Sequence, residues 1–181
     1  MTQTSASKWQ LFIFVALAIV GLDHMTKLII TQNVAYGDGF PVINGFFDIV
    51  HWRNNGAAFG FLNGWDSPLR NVFFYVMGFV AFATILYFYA TQPLRDRLSR
   101  LAFALIAGGA IGNLSDRFLR GSVVDFLSFH WGQSVWNLNL AGHSYSIPLS
   151  WPAFNVADSA ITIAVVLLLF RSFIKPFKET L

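Results

Sequence analysis

Four apolar runs of about 20 residues constrain this chain more than any other feature, because a helix of that length crosses the roughly 30 Å of hydrocarbon in a bilayer. They lie at 11–30, 69–90, 98–118 and 154–174. In lipid every backbone N–H and C=O must be satisfied within the protein, so the runs themselves are expected to be helices. The fold class read from the residues is an all-α membrane protein, a four-transmembrane-helix bundle. Composition agrees: 12% of the 181 residues are charged and 55% are hydrophobic, with 20 phenylalanines. A soluble domain carries roughly 25% charge.

The expected organisation is one integral membrane domain over 1–181, with two long connecting segments at 31–68 and 119–153. No small-x-small cleavage site separates the first run, which extends from Trp9 to about Ile30, from a soluble domain, so it is expected to be a retained anchor. The third run is the least apolar. Its uninterrupted part stops near Ile111, and to reach full length the span must take in Asn113, Asp116 and Arg117.

Basic residues indicate orientation. Arg95 and Arg97 lie between the second and third runs, with Arg100 at the start of the third, and Arg171, Lys175 and Lys178 lie at or beyond the end of the fourth. By the positive-inside rule both places are cytoplasmic, and an even number of spans brings the N-terminus, with Lys8, to the same side. Segments 31–68 and 119–153 then face outward. The net charge of +3 is accounted for by these signals, so no nucleic-acid partner is implied. Within the first outer segment, Phe46-Phe47-Asp48-Ile49-Val50-His51-Trp52 is aromatic and β-branched and is bounded by Gly45 and Asn54, which predicts a short strand. Pro148, Trp151 and Pro152 suit an interfacial belt and a helix entrance.

An ionisable side chain at bilayer depth costs at least about 2.5 kcal/mol, which makes each one a candidate for function. Asp23 and Lys27 are four apart in the first span and share a face, as a structural ion pair would. Asn113, Asp116 and Arg117 form a polar face after Gly108-Gly109-Ala110-Ile111-Gly112, a run that suits either a close helix seam or a substrate groove. Arg117 has the planar fork to bind a carbonyl, a carboxylate or a lipid head group. Asp125 sits in Val123-Val124-Asp125-Phe126, and Asn155 and Asp158 are expected on one face about a turn inside the fourth span. Two carboxyls at one depth in a low-dielectric site share a proton, which suits acid–base work on a water and a carbonyl. The same pair also fits a small proton-coupled membrane transporter. Lipid-modified peptide binding without hydrolysis is a third reading. Other chemistries lack their patterns. No cysteine is present, His24, His51, His130 and His143 do not form a zinc motif, and G-x-S-x-G is absent.

Five of these motifs in this order resemble the lipoprotein signal peptidase (signal peptidase II) family. They are Asp23 with Thr26-Lys27, Arg53-Asn54-Asn55-Gly56-Ala57-Ala58-Phe59, Gly108 to Asn113 with Asp116-Arg117, Val123-Val124-Asp125-Phe126, and Phe154-Asn155-Val156-Ala157-Asp158. The resemblance implies a bacterial inner-membrane aspartic endopeptidase that needs no cofactor or metal. Its substrate would be a diacylglyceryl-modified prolipoprotein, cut just before the lipidated cysteine, with membrane lipid as surroundings and cyclic-peptide inhibitors as further partners. Asp125 and Asp158 would be the catalytic pair near the periplasmic face. Asn54, Gly56, Asn113, Arg117 and Asn155 would support substrate or pair, and Asp23, Lys27 and Asp116 would be structural. A small periplasmic β-cradle and a helical flap would accompany the bundle. The stretch Leu127 to Ala153 is longer than the family's compact connection, and without an acid it is expected to shape access.

The orientation has a direct test: a reporter active only in the periplasm, fused after Leu181, should stay silent. Strong activity from that fusion would rule out the four-span topology.

Overall fold

The computed structural model describes residues 5–56, 68–140 and 143–174. The elements are α1 (Ser5–Asn33), β1 (Gly39–Ile43), β2 (Phe47–Asn54), α2 (Pro68–Thr91), α3 (Arg97–Arg120), β3 (Val123–Leu140), β4 (His143–Phe154) and α4 (Val156–Phe173). Among the described residues all four helices are long and apolar enough to cross a membrane. The chain divides into two units, one made of Met1–His24, Asp66–Leu119 and Val156–Leu181, the other of Met25–Trp65 and Arg120–Asn155. The segment between β2 and α2, residues 57–67, where a flap would lie, and the motif residues Ala57, Ala58 and Phe59 fall outside the described residues.

In the helical unit α3 is the central element. Inside the protein lies 44% of its span, against 11–17% for the other three. That explains why its sequence is the least apolar, since a helix screened from lipid need not be greasy on every side. Its glycines form a packing seam, the first of the two readings of that run. A methyl group at Gly108 would stand 2.9 Å from the carbonyl oxygen of Ala16 on α1, and one at Gly109 would stand 2.5 Å from that of Ala157 on α4. Bare backbone lets both neighbours come this close.

The α1–α2 contact is fixed at one end by Lys8. Its ammonium donates to the carbonyls of Ala90 and Gln92 at 2.8 and 2.7 Å, satisfying acceptors that the end of α2 leaves unpaired. The Tyr89 hydroxyl donates back to the Lys8 carbonyl, and the Tyr89 ring packs with Phe12, Ala16, Ile85, Ala104 and Ala107. At the start of α3, Asp96 caps the helix. It accepts the Ser99 N–H at 3.1 Å, the Ser99 hydroxyl at 3.0 Å and Arg171 Nε at 2.9 Å. Burial raises its carboxyl, but the bonds from Ser99 and Arg171 outweigh that and hold it below the ordinary carboxylate range.

The second unit is a four-stranded antiparallel sheet in the order β1-β2-β3-β4. The strand expected at Phe46 to Trp52 is β2. Gly45, at φ 75°, makes the tight turn into it, and Gly121, at φ 73°, ends α3 so that the chain enters β3 at once. The segment 119–153, for which the sequence predicts no strand, forms the long β3–β4 hairpin. Register shifts between His130 and Val135 break its alternation, which hides the strand period. The fourth helix also starts later than expected. Phe154 is still paired with Leu127 in the sheet, so α4 begins at Val156. Asn155 therefore precedes the helix instead of lying inside it, and Asp158 occupies the first turn.

Two stability predictions follow from these contacts. Gly109→Ala should destabilise by about 1–3 kcal/mol, read as a lower Tm in detergent, because backbone on α4 cannot yield to the new methyl. Gly21→Ala, with nothing within 4 Å, should keep or raise the Tm. Asp96, with its carboxyl held low, contributes stability that is complete above the ordinary carboxylate range and is lost as pH falls through the lowered value. Asp96→Asn should therefore flatten the acid side of the Tm–pH curve and cost about 1 kcal/mol near neutrality. An unchanged curve would remove Asp96 from the account.

Candidate active site

Asp125 is the third residue of β3 and is 4% exposed. The β2–β3 register sets Trp52 opposite it and Asn54 opposite Val123, so Asn54 is its diagonal neighbour on one sheet face. From there Asn54 Nδ2 donates to Asp125 Oδ2 at 3.1 Å. The Asn54 Oδ1 is taken by the Gly56 N–H at 3.0 Å, which fixes the amide with its donor end toward the acid. Asn155, fully buried just after β4, completes the cage. Its Nδ2 reaches Asp125 Oδ1 at 2.8 Å and the Val124 carbonyl at 3.3 Å. The structure thus brings Asn54 and Asn155 to Asp125, and Gly56 to Asn54.

Asp158 is held by the helical unit. Asn113 Nδ2 donates to its Oδ1 at 2.7 Å. The helix that carries Asp158 is in turn fixed by Asp23, whose Oδ1 accepts the Ala157 N–H at 3.0 Å. That N–H is one of those a helix start leaves without an intrahelical partner. A methyl at Gly112 would stand 2.7 Å from Asp23 Oδ2, so the glycine makes room for the carboxylate. Asp23 and Lys27 are both fully buried on α1, and Asp23 caps α4. Asp116 is fully buried on α3.

Arg117 lies one turn from Asn113, as expected. Its Nη1 donates to the Asn113 carbonyl at 3.2 Å, and its guanidinium lies over the Phe74 ring at 4.7 Å. The Tyr75 hydroxyl donates to the Arg117 carbonyl at 3.3 Å. Phe74 and Tyr75 were not legible as site residues, because one aromatic pair among many in α2 carries no spacing signal. The same holds for Ser115, whose hydroxyl meets His24 Nε2 at 3.2 Å and the Gly112 carbonyl at 2.8 Å.

Carboxyl groups oriented by asparagine amides are placed for proton exchange with a water or a peptide carbonyl, which is the equipment of hydrolysis. Comparison with known proteins agrees. The sequence profile described as signal peptidase (SPase) II matches residues 15–174. The lipoprotein signal peptidase of Bacillus pumilus (strain SAFR-032) is 38% identical over 160 residues, covering 88% of this chain and 90% of that protein. That of Azoarcus sp. (strain BH72) is 42% identical over 162 residues, covering 88% and 80%. A bacterial membrane enzyme solved by the in meso method superposes with a TM-score of 0.72 at 33% identity, covering 94% of each chain. With sequence profile, relatives and fold in agreement over nearly its whole length, the chain belongs to the signal peptidase II family.

Proposed function

We propose that this chain is an aspartic endopeptidase that removes the signal peptide from diacylglyceryl-modified prolipoproteins, cutting just before the lipidated cysteine, with Asp125 and Asp158 as its catalytic pair. One observation carries the choice of these two acids: asparagine amides hold both, Asn54 and Asn155 on Asp125 and Asn113 on Asp158. Family membership favours hydrolysis over the proton-coupled transporter, and none of the findings supports the latter.

In this reading the two carboxyls share one proton and hold a water between them. The ionised acid takes a proton from the water as its oxygen attacks the scissile carbonyl, and the protonated acid donates to the carbonyl oxygen. As the tetrahedral intermediate collapses, the proton gained from water passes to the departing amine, the other acid takes back a proton from a hydroxyl of the intermediate, and the pair returns to its starting state. Asn54, Gly56, Asn113 and Asn155 hold the pair in place. Arg117 offers a planar guanidinium to a substrate carbonyl or a head group, and Asp23, Lys27 and Asp116 keep the helices in register. The chain works as one domain in the bacterial inner membrane, with both termini cytoplasmic and the acids near the periplasmic face. The arginines of the α2–α3 connection and the basic tail support that orientation. There the scissile bond of a membrane-inserted prolipoprotein emerges from lipid. Cyclic peptides that occupy the same groove as the substrate would inhibit.

Asp125→Asn and Asp158→Asn should each lower cleavage of a lipidated prolipoprotein by roughly 10²-fold or more while binding survives. The double variant should be scarcely worse than either single one, because both acids serve one step. The rate should fall at both pH extremes, with two apparent values that belong to the pair. A folded single variant that cleaves at close to the parent rate would sink the assignment.

A further inference from the structure

Beyond the strand roots, where Val50, Val124 and Phe126 are buried on one face, the sheet is polar on that face and apolar on the other, and neither the catalytic reading nor the bundle accounts for that difference. Residues directly opposite one another in neighbouring strands share a face. Two rows cross all four strands on the face that carries Asp125. One is Ile43, Phe47, Phe129 and Trp151, and the other is Phe40, Ile49, Leu127 and Phe154. Trp52, opposite Asp125, extends this face, as does Trp131, two positions beyond Phe129. The aromatic rings pack into one layer, with Phe129 stacked on Phe47 at 4.6 Å and on Phe154 at 5.8 Å, and Phe46 set edge-on to Phe129 and Trp131. On the opposite face Asp48 stands across from Ser128 and His130 across from Ser150, and His130 Nε2 meets Asp48 Oδ2 at 3.0 Å.

Among the described residues no core covers the outer part of the apolar face. Phe40, Ile43, Trp131 and Trp151 are each more than half exposed, and Trp52 is 46% exposed. An aromatic surface of this kind in water marks an interaction site. Three facts identify what it meets. First, the sheet is tied to membrane-spanning helices by almost no chain. From Arg120 to Val123 is three residues and from Phe154 to Val156 is two, so at about 3.3 Å per residue the strand roots cannot leave the bilayer surface. Second, residues 127–153 contain no Asp, Glu, Lys or Arg, although an edge strand exposed to water is ordinarily protected by charge. Third, tryptophan concentrates at membrane interfaces, where its ring is buried and its N–H stays wet, and this face carries three.

We propose that the aromatic face of the sheet, extended by Trp131 and Trp151 of the β3–β4 hairpin, lies flat on the lipid surface, with the Asp48–His130 face toward water. The hairpin is then an interfacial anchor that sets the height of Asp125, which sits on the lipid-side face at the root of the same strand. The inference rests on the chain spanning a membrane and not on which residues cut the substrate.

The absence of cysteine allows a clean test. Single cysteines replace sequence neighbours that point to opposite faces, Phe40→Cys and Pro41→Cys in β1, and Ser150→Cys and Trp151→Cys in β4. Each carries a bimane label in the full-length protein, held in nanodiscs of phosphatidylethanolamine and phosphatidylglycerol. Quenching is measured with a headgroup-depth nitroxide lipid and with aqueous iodide. Labels at 40 and 151 should be quenched severalfold more strongly by the nitroxide lipid than those at 41 and 150, and iodide should give the reverse order. Two strands are sampled, so one variant that fails to accumulate leaves the alternation measurable in the other. Equal access of iodide to all four positions overturns the proposal, because the sheet then stands in water. Shielding of 40 and 151 from both quenchers overturns it as well, since protein, such as a second copy of the chain, then covers that face. The readout is independent of cleavage, so an inactive but labelled enzyme tests the anchor without testing the catalytic pair.

Discussion

The bond from the Ala157 N–H to the buried carboxylate of Asp23 fixes where α4 begins, and the placement of Asp158 depends on it. A helix start leaves donors without intrahelical partners, and in lipid there is no water to take them. α1 supplies the acceptor from a position fully inside the bundle, and α3 makes space for it by having glycine at 112. One residue further on from Ala157 is Asp158, held by Asn113 from the same helix that carries Gly112. Three helices therefore agree on one short stretch of chain, and a shift in any of them moves the acid.

Asparagine recurs on both acids for a physical reason. A lysine or arginine in its place would neutralise the carboxylate as an ion pair and occupy it. An amide donates a hydrogen bond and keeps a carbonyl for a second partner, so its own orientation can be fixed, as Gly56 fixes Asn54. Strand pairing then supplies the distances. Asn54 reaches Asp125 because it is the diagonal neighbour across the β2–β3 ladder, and Asn155 reaches it because β4 stays paired as far as Phe154 before the chain turns into α4.

Much of this was legible in the residues. The four spans show as predominantly apolar runs of about 20 residues, and β2 shows as a β-branched, aromatic stretch between turn residues. The acids stand out because charge is rare in such sequence, and Asn113, Arg117 and Asn155 because they lie within a turn of an acid or of each other. What stayed hidden depends on contacts far apart in sequence. Asp23 reads as a partner for Lys27 four residues away, and nothing near it announces that it caps a helix 134 positions later. The β3–β4 hairpin was missed because bulges break its period and Gly, Ser and Asn dilute it. The start of α4 was placed too early because Phe154 and Asn155 look as apolar or as cap-like as helix residues, while the sheet claims Phe154 first.

The distribution of polarity shows what holds such a chain together. The largest fully buried side chains include Arg100, Lys27, Asp23, Asp116 and Asn155, whereas Phe14, Phe79 and Phe173 stand on the exterior. This inverts a soluble domain, and it follows from the solvent. Lipid tails are as apolar as leucine, so burying more apolar surface between helices contributes little, and close packing at small residues together with interhelical hydrogen bonds must do that work. The glycine seam of α3 and the polar groups of Lys8, Asp23 and Asn113 are those two terms. The bonds that stabilise the bundle are thus also the bonds that position Asp158. A chain of this kind cannot trade its buried polar groups for hydrophobic ones without loosening the helices and the site together.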